Sequence, residues 1–133
     1  MSDLGLSRRR SRERSLEILY ESAIKARSAD VVLSELNTRP DGYAVELVTS
    51  AAQHQDQANA LISEFSADWA LERIALVDRL IMTLAIGEML MDNPPPVAVI
   101  LDEAVELAKV FSTDGSPSFV NGVLSSVSQR LFN

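Results

Sequence analysis

The sequence predicts an all-α protein on three observations. Apolar residues recur at helical spacing along nearly the whole chain, no segment alternates strictly between apolar and polar, and only five of the 133 residues are glycine. The pattern is several helices of two to six turns with short connections, which packs as one or two small bundles. At this length one domain suffices, burying roughly two thirds of the surface its unfolded chain exposes.

The first helix is expected from about Ser7 to Arg27, with Leu16, Leu19, Tyr20 and Ala23 as its apolar stripe. A short helix follows, about Asp30 to Leu36. Pro40, Asp41 and Gly42 then make a turn, and one long helix carries Val45, Val48, Ala52, Leu61, Ile62 and Phe65. Trp69 opens the second half. From Leu71 to Met91 the chain is apolar almost all round, with Leu80, Ile81, Met82, Leu84, Ala85 and Ile86 pointing in every direction on a helical wheel. Such a helix belongs in the middle of a bundle. Pro94, Pro95 and Pro96 cannot continue it, because proline lacks the amide donor and clashes with the preceding turn.

The next helix, about Val97 to Phe111, sets Ile100, Leu101, Ala104, Ala108 and Phe111 against an outer ridge of Asp102, Glu103 and Glu106. Asp114 and Gly115 break it. Ser116 followed by Pro117 starts the last helix, a capping hydroxyl before a residue with preset φ and no amide to satisfy. This helix runs to about Leu131, burying Phe119, Val120, Val123, Leu124 and Val127. Gly122 lies roughly opposite that stripe, where a glycine costs about 1 kcal/mol against alanine. The expected reason is close approach of another backbone or a ligand.

Charge divides the chain. Residues 1 to 14 hold five arginines, Arg8, Arg9, Arg10, Arg12 and Arg14, against Asp3 and Glu13, whereas residues 15 to 133 hold seven basic and seventeen acidic groups. A polyanion can approach only the first end. Continued backward, the stripe of the first helix passes through Arg8, Arg9 and Arg12, with Arg10 and Arg14 on the other side. Arginines do not replace leucines in a core, so these turns are expected to overhang the bundle and act from its edge. An ordered start makes a basic site for nucleic acid, with Tyr20 offering a ring to an unstacked base. A disordered basic tail, with Tyr20 in the core, accounts equally well for the composition.

Other chemistry has little to work with. There is no cysteine, which removes disulfides and thiolate metal sites and fits a reducing cytoplasm. His54 is the only histidine and is expected as a solvated helix residue, so neither a His-based triad nor a paired-histidine metal site can be assembled. The ridge acids lack a neighbouring nucleophile, base or ligand set. Glu17 and Glu21 interrupt what would be the apolar segment of an export signal. The most apolar uncharged run, Leu80 to Gly87, is far shorter than the roughly twenty residues needed to span a bilayer. No enzyme, cofactor, metal or membrane is expected.

Three segments together resemble the NusB family of transcription antitermination factors: RRRSRERSLEILY at 8–20, Trp69 and Arg73 with LAIGEML before the prolines, and VAVILDEAVELAKVF followed by SPSFVNGVL at 97–124. The resemblance implies two small packed helical bundles of about six or seven helices, with an N-terminal subdomain at 1–66 and a C-terminal one at 67–133. It implies a cytoplasmic factor that binds single-stranded boxA-type RNA with a small-subunit ribosomal protein acting as NusE. Other Nus factors and RNA polymerase are engaged indirectly, in ribosomal RNA transcription. On this reading Arg8, Arg9, Arg10 and Arg12 are the RNA-binding arginines, and Tyr20, Phe111 and Phe119 are aromatic positions near the RNA path. Asp78, Asp102, Glu103 and Glu106 are the partner-binding candidates by charge. Replacing Arg8, Arg9 and Arg12 together with alanine is expected to weaken RNA binding severely while leaving the helical fold intact.

The chain departs from the family pattern at Thr83, where a basic residue is common, at Gly87, where a tyrosine is usual, at Gly115, where an acid is often found, and at Pro117 and Ser118, where a more polar or basic pair is common. These changes are expected to weaken RNA binding by the chain alone. Two other readings stand beside the first. One is the NusB-like domain of a ribosomal RNA methyltransferase, which requires a continuation past Asn133. The other is a protein-only helical adaptor that self-associates as a homodimer through the Gly122 face.

Overall fold

A computed structural model describes residues 3–66 and 69–132. These residues form seven helices: α1 (Asp3–Lys25), α2 (Ala29–Glu35), α3 (Gly42–Gln53), α4 (Gln55–Phe65), α5 (Leu76–Met89), α6 (Val97–Phe111) and α7 (Ser116–Phe132). A single 3-10 turn, Leu71–Arg73, precedes α5, and no strand occurs among the described residues. None of the described helices is long and apolar enough to cross a membrane. The expected subdomain boundary abuts Ala67 and Asp68, which lie outside the described residues.

Helix α5 is the axle, as its all-round hydrophobicity requires. Every residue from Leu80 to Met89 is buried, and α1, α3, α4, α6 and α7 all pack against it. Each large aliphatic side chain buried in this way contributes roughly 1.5–3 kcal/mol. Gly87 sets the spacing to α3: a Cβ there would stand 2.8 Å from both the N and Cα of Ala51. Beside it Ser50 Oγ donates to the Gly87 carbonyl at 2.6 Å. Gly122, by contrast, faces open space on the exposed side of α7, so the close approach expected there is found at Gly87 instead. Nothing in the structure explains the glycine at 122.

The expected single helix after Gly42 is two. Its joint is His54, whose backbone (φ −104°, ψ 17°) leaves the helical region. His54 is half-buried rather than solvated, and its Nδ1 lies 2.9 Å from the Ser50 carbonyl, which makes Nδ1 the protonated nitrogen because a carbonyl only accepts. Side-chain bonding to the last carbonyls of a helix offers the backbone an alternative to continuing it.

On α1 the buried face is Ser11, Arg12, Ser15, Leu16, Ile18 and Leu19. Leu16 and Leu19 hold their expected places, but Tyr20 is 44% exposed and Ala23 is exposed as well. The stripe rotates because two serines make the contact with α3. Ser15 Oγ donates to the Ala44 carbonyl at 3.2 Å, and Ser11 Oγ donates to Asp41 Oδ2 at 2.7 Å. Asp41 also caps α3 by accepting from the Ala44 amide at 3.2 Å. Burial pushes its pKa up, but these hydrogen bonds prevail and hold it below the usual value.

Candidate nucleic-acid interface

The wheel places Arg8, Arg9 and Arg12 correctly toward the body, yet they do not simply overhang it. Arg12 is inside. Its Nε and Nη2 donate to Glu88 Oε1 and Oε2 at 2.8 and 2.7 Å, and the two side chains are only 5% and 2% exposed. Burial works against the charged guanidinium, but hydrogen bonding and charge from Glu88 outweigh it and raise the Arg12 pKa. Tyr43 Oη donates to the same carboxylate, tying α1, α3 and α5 together. An arginine did enter the core, because a glutamate entered with it. Arg12 is therefore enclosed rather than presented at the rim, and its replacement by alanine would strand Glu88.

The other arginines remain at the rim. Arg9 Nε and Nη2 donate to Glu103 of α6 at 2.9 and 3.2 Å, with 34% of the arginine side chain exposed. The guanidinium of Arg8 lies over the ring of Tyr43, 3.7 Å from its centroid. Arg10 is exposed and has no bonded partner among the described residues. Arg14 pairs with Glu17 one turn on, at 3.3 Å.

The aromatic positions separate into two places. Tyr20 and Phe111 wall one apolar groove of about 290 Å³ with Leu16 and Val77. Phe119, half-buried, lines a different cavity of about 370 Å³ with Trp69, Arg73 and Asp78. Trp69 is 56% exposed, and Arg73 is exposed without a bonded partner among the described residues. The sequence offers both residues only as a family likeness. They line one cavity with Phe119 by way of the segment between α4 and α5, which no periodicity reports.

The acids also sort differently from expectation. Asp78 is buried, accepting from the hydroxyls of Ser112 and Ser116, the latter at 2.8 Å, so it fastens the α6–α7 turn onto α5 rather than facing a partner. Glu103 is taken by Arg9, and Glu106 accepts from Lys109 at 3.2 Å. Asp102 alone of the four is exposed without a bonded partner among the described residues. Two of the family departures are interior: Thr83 is buried, its hydroxyl bonded to the Arg79 carbonyl, and Gly87 lies at the α3 seam. Pro117 lines a groove of about 610 Å³ with Arg9 and Asp102, while Gly115 lines the Trp69 cavity. No cluster of three or more metal-ligating side chains occurs among the described residues.

A model of the NusB family matches residues 9–129. The chain belongs to the NusB family. It is 40% identical over 132 aligned residues to the transcription antitermination protein NusB of Beutenbergia cavernae, covering 89% of this chain and 86% of that relative. The structure of T. maritima NusB superposes with a TM-score of 0.81 at 30% identity, covering 92% of this chain and 90% of that one. The NusB fold is shared too with a crystal structure of the antitermination factors NusB and NusE in complex with dsRNA. There the TM-score is 0.78 at 21% identity, over 93% of this chain and 97% of that one. The matched range takes in Arg9, Arg10, Arg12, Trp69, Arg73 and Phe119, and begins one residue after Arg8.

Proposed function

We propose that this chain is a non-enzymatic transcription antitermination factor of the cytoplasm. It binds single-stranded boxA-type RNA together with a small-subunit ribosomal protein acting as NusE, and helps load an antitermination complex onto RNA polymerase in ribosomal RNA transcription. The observation that carries this reading is the family match over residues 9–129, to relatives named as antitermination proteins. The exposed basic rim of α1 on an acidic body supports it, since phosphate contacts supply most of the affinity of such interfaces.

Within the reading, Arg8, Arg9 and Arg10 meet phosphates or bases, and Arg12 holds the helix that carries them. Phe119, Trp69 and Arg73 offer rings and a free guanidinium to an unstacked base. Tyr20 and Phe111 form an apolar seat beside the RNA path. Asp102, Glu103 and Glu106 face the basic ribosomal partner.

The test is RNA binding with and without that partner, for the wild type and an Arg9→Ala/Arg10→Ala variant. The double variant is expected to bind severely less RNA with unchanged helical circular dichroism. With Arg12 buried, four arginines of α1 remain, so the slope of log affinity against log salt attributable to this helix is no steeper than about −2.8 at roughly −0.7 per phosphate. Unchanged binding by the double variant would overturn the assignment.

A further inference from the structure

We propose that Arg8 and Tyr43 form a stacking platform for one unpaired RNA base, at the mouth of the groove between α3 and the α5–α6 connection. The proposal rests on the RNA-binding reading above and extends the RNA contact from the arginine segment onto α3.

Of the three arginines that α1 turns toward the body, two meet carboxylates and one meets a ring. Arg9 and Arg12 each spend their donors on a glutamate. Arg8 has no acidic partner among the described residues and lies over Tyr43 at van der Waals distance, 3.7 Å from the centroid. The ring is fixed from behind, because Tyr43 Oη donates to Glu88 and Glu88 is itself locked by Arg12. A buried ion pair therefore fixes the ring against which Arg8 lies. Arg8 is only half-buried and lines the groove together with Tyr43, so part of its side chain is accessible to a ligand there. Guanidinium planes stack on bases as they do on aromatic rings, and this is a recurring way of holding unpaired nucleotides.

The groove beyond is about 670 Å³ and continues past Thr49, Gln53 and Asn93, with Glu46 and Asp92 also in its walls. Its size is within the range of sites that enclose small ligands. The two carboxylates disfavour a phosphate inside it, while amides, a hydroxyl and carboxylates can all bond the edge of a base. The arrangement thus suits the base of a nucleotide whose phosphate stays at the arginine end.

The deciding variant is Arg8→Lys, which keeps the charge and loses the plane. In the full chain with its ribosomal partner and boxA-type oligonucleotides carrying 2-aminopurine at successive positions, the wild type is expected to quench one position through stacking. Arg8→Lys is expected to lose that quench and bind about five- to hundredfold more weakly, the range a stacked base contributes, with an unchanged salt slope. Tyr43→Leu, which removes the ring beneath Arg8, is expected to lose the quench as well, and a quench retained in it would overturn the part of Tyr43 in the platform. Wild-type quenching and affinity in Arg8→Lys would overturn the platform while leaving the RNA-binding reading intact. Failure of the wild type to bind RNA with the partner present would overturn both.

Discussion

Arg9 and Arg12 stand three residues apart on one helix, and each makes two hydrogen bonds to a glutamate of the C-terminal half, yet they do different work. The Arg12–Glu88 pair is almost wholly enclosed, whereas a third of the Arg9 side chain meets solvent. Water makes the difference. At the rim, solvent screens the pair and can replace either partner, so Arg9–Glu103 contributes at most about 1 kcal/mol and its donors stay exchangeable. In the interior neither group can be resolvated, so each is required by the other. The same chemistry locks the fold at one turn and leaves a usable cation at the next.

The largest way to break this comparison is to remove one buried partner. Arg12→Ala or Glu88→Ala is expected to cost about 3–5 kcal/mol in urea denaturation, while Arg12→Met combined with Glu88→Leu recovers most of the loss. A single-variant cost below about 1 kcal/mol would mean that the two pairs are equivalent after all. Next comes the seam beside Glu88. Gly87→Ala puts a methyl group against the Ala51 backbone and should cost about 1–3 kcal/mol in the same measurement.

Alkali should reach the buried network through Tyr43. Burial, the hydrogen bond to Glu88 and the charge of Glu88 push its pKa up to about 12. The unfolded value is about 10. A raised folded value means that this contribution is complete below about pH 10 and is lost as pH rises through about 12. Denaturation midpoints of the wild type should fall across that window by more than those of Tyr43→Phe; parallel curves would count against the coupling.

The smallest expected effect on stability is at the rim. Glu103→Gln should change folding by less than about 1 kcal/mol, while freeing Arg9 and tightening RNA binding by up to about fivefold. Weaker RNA binding in that variant would show that Glu103 positions Arg9 instead of competing for it.

Where helices carry a clear apolar stripe, the sequence was an adequate guide. The centrality of α5, the break between α5 and α6 that contains Pro94 to Pro96, and the buried valines and leucine of α7 all follow from local pattern. Where polar residues make the interior contact, pattern reading fails. Ser11 and Ser15 are buried against α3, Asp78 is buried against Ser112 and Ser116, and His54 divides a helix through a bond to Ser50. A serine or an aspartate reads as surface until its partner is known, and these partners come from 29 to 38 residues away in the first two cases.

The sequence alone determined the helical class, the charge asymmetry and which three arginines continue the apolar stripe of α1, because periodicity and charge are properties of a segment by itself. Tertiary structure decided what each inward arginine meets. Glu88, Glu103 and Tyr43 lie on other helices, and only their packing against α1 distinguishes a buried lock, a part-exposed ion pair and a guanidinium laid over a ring.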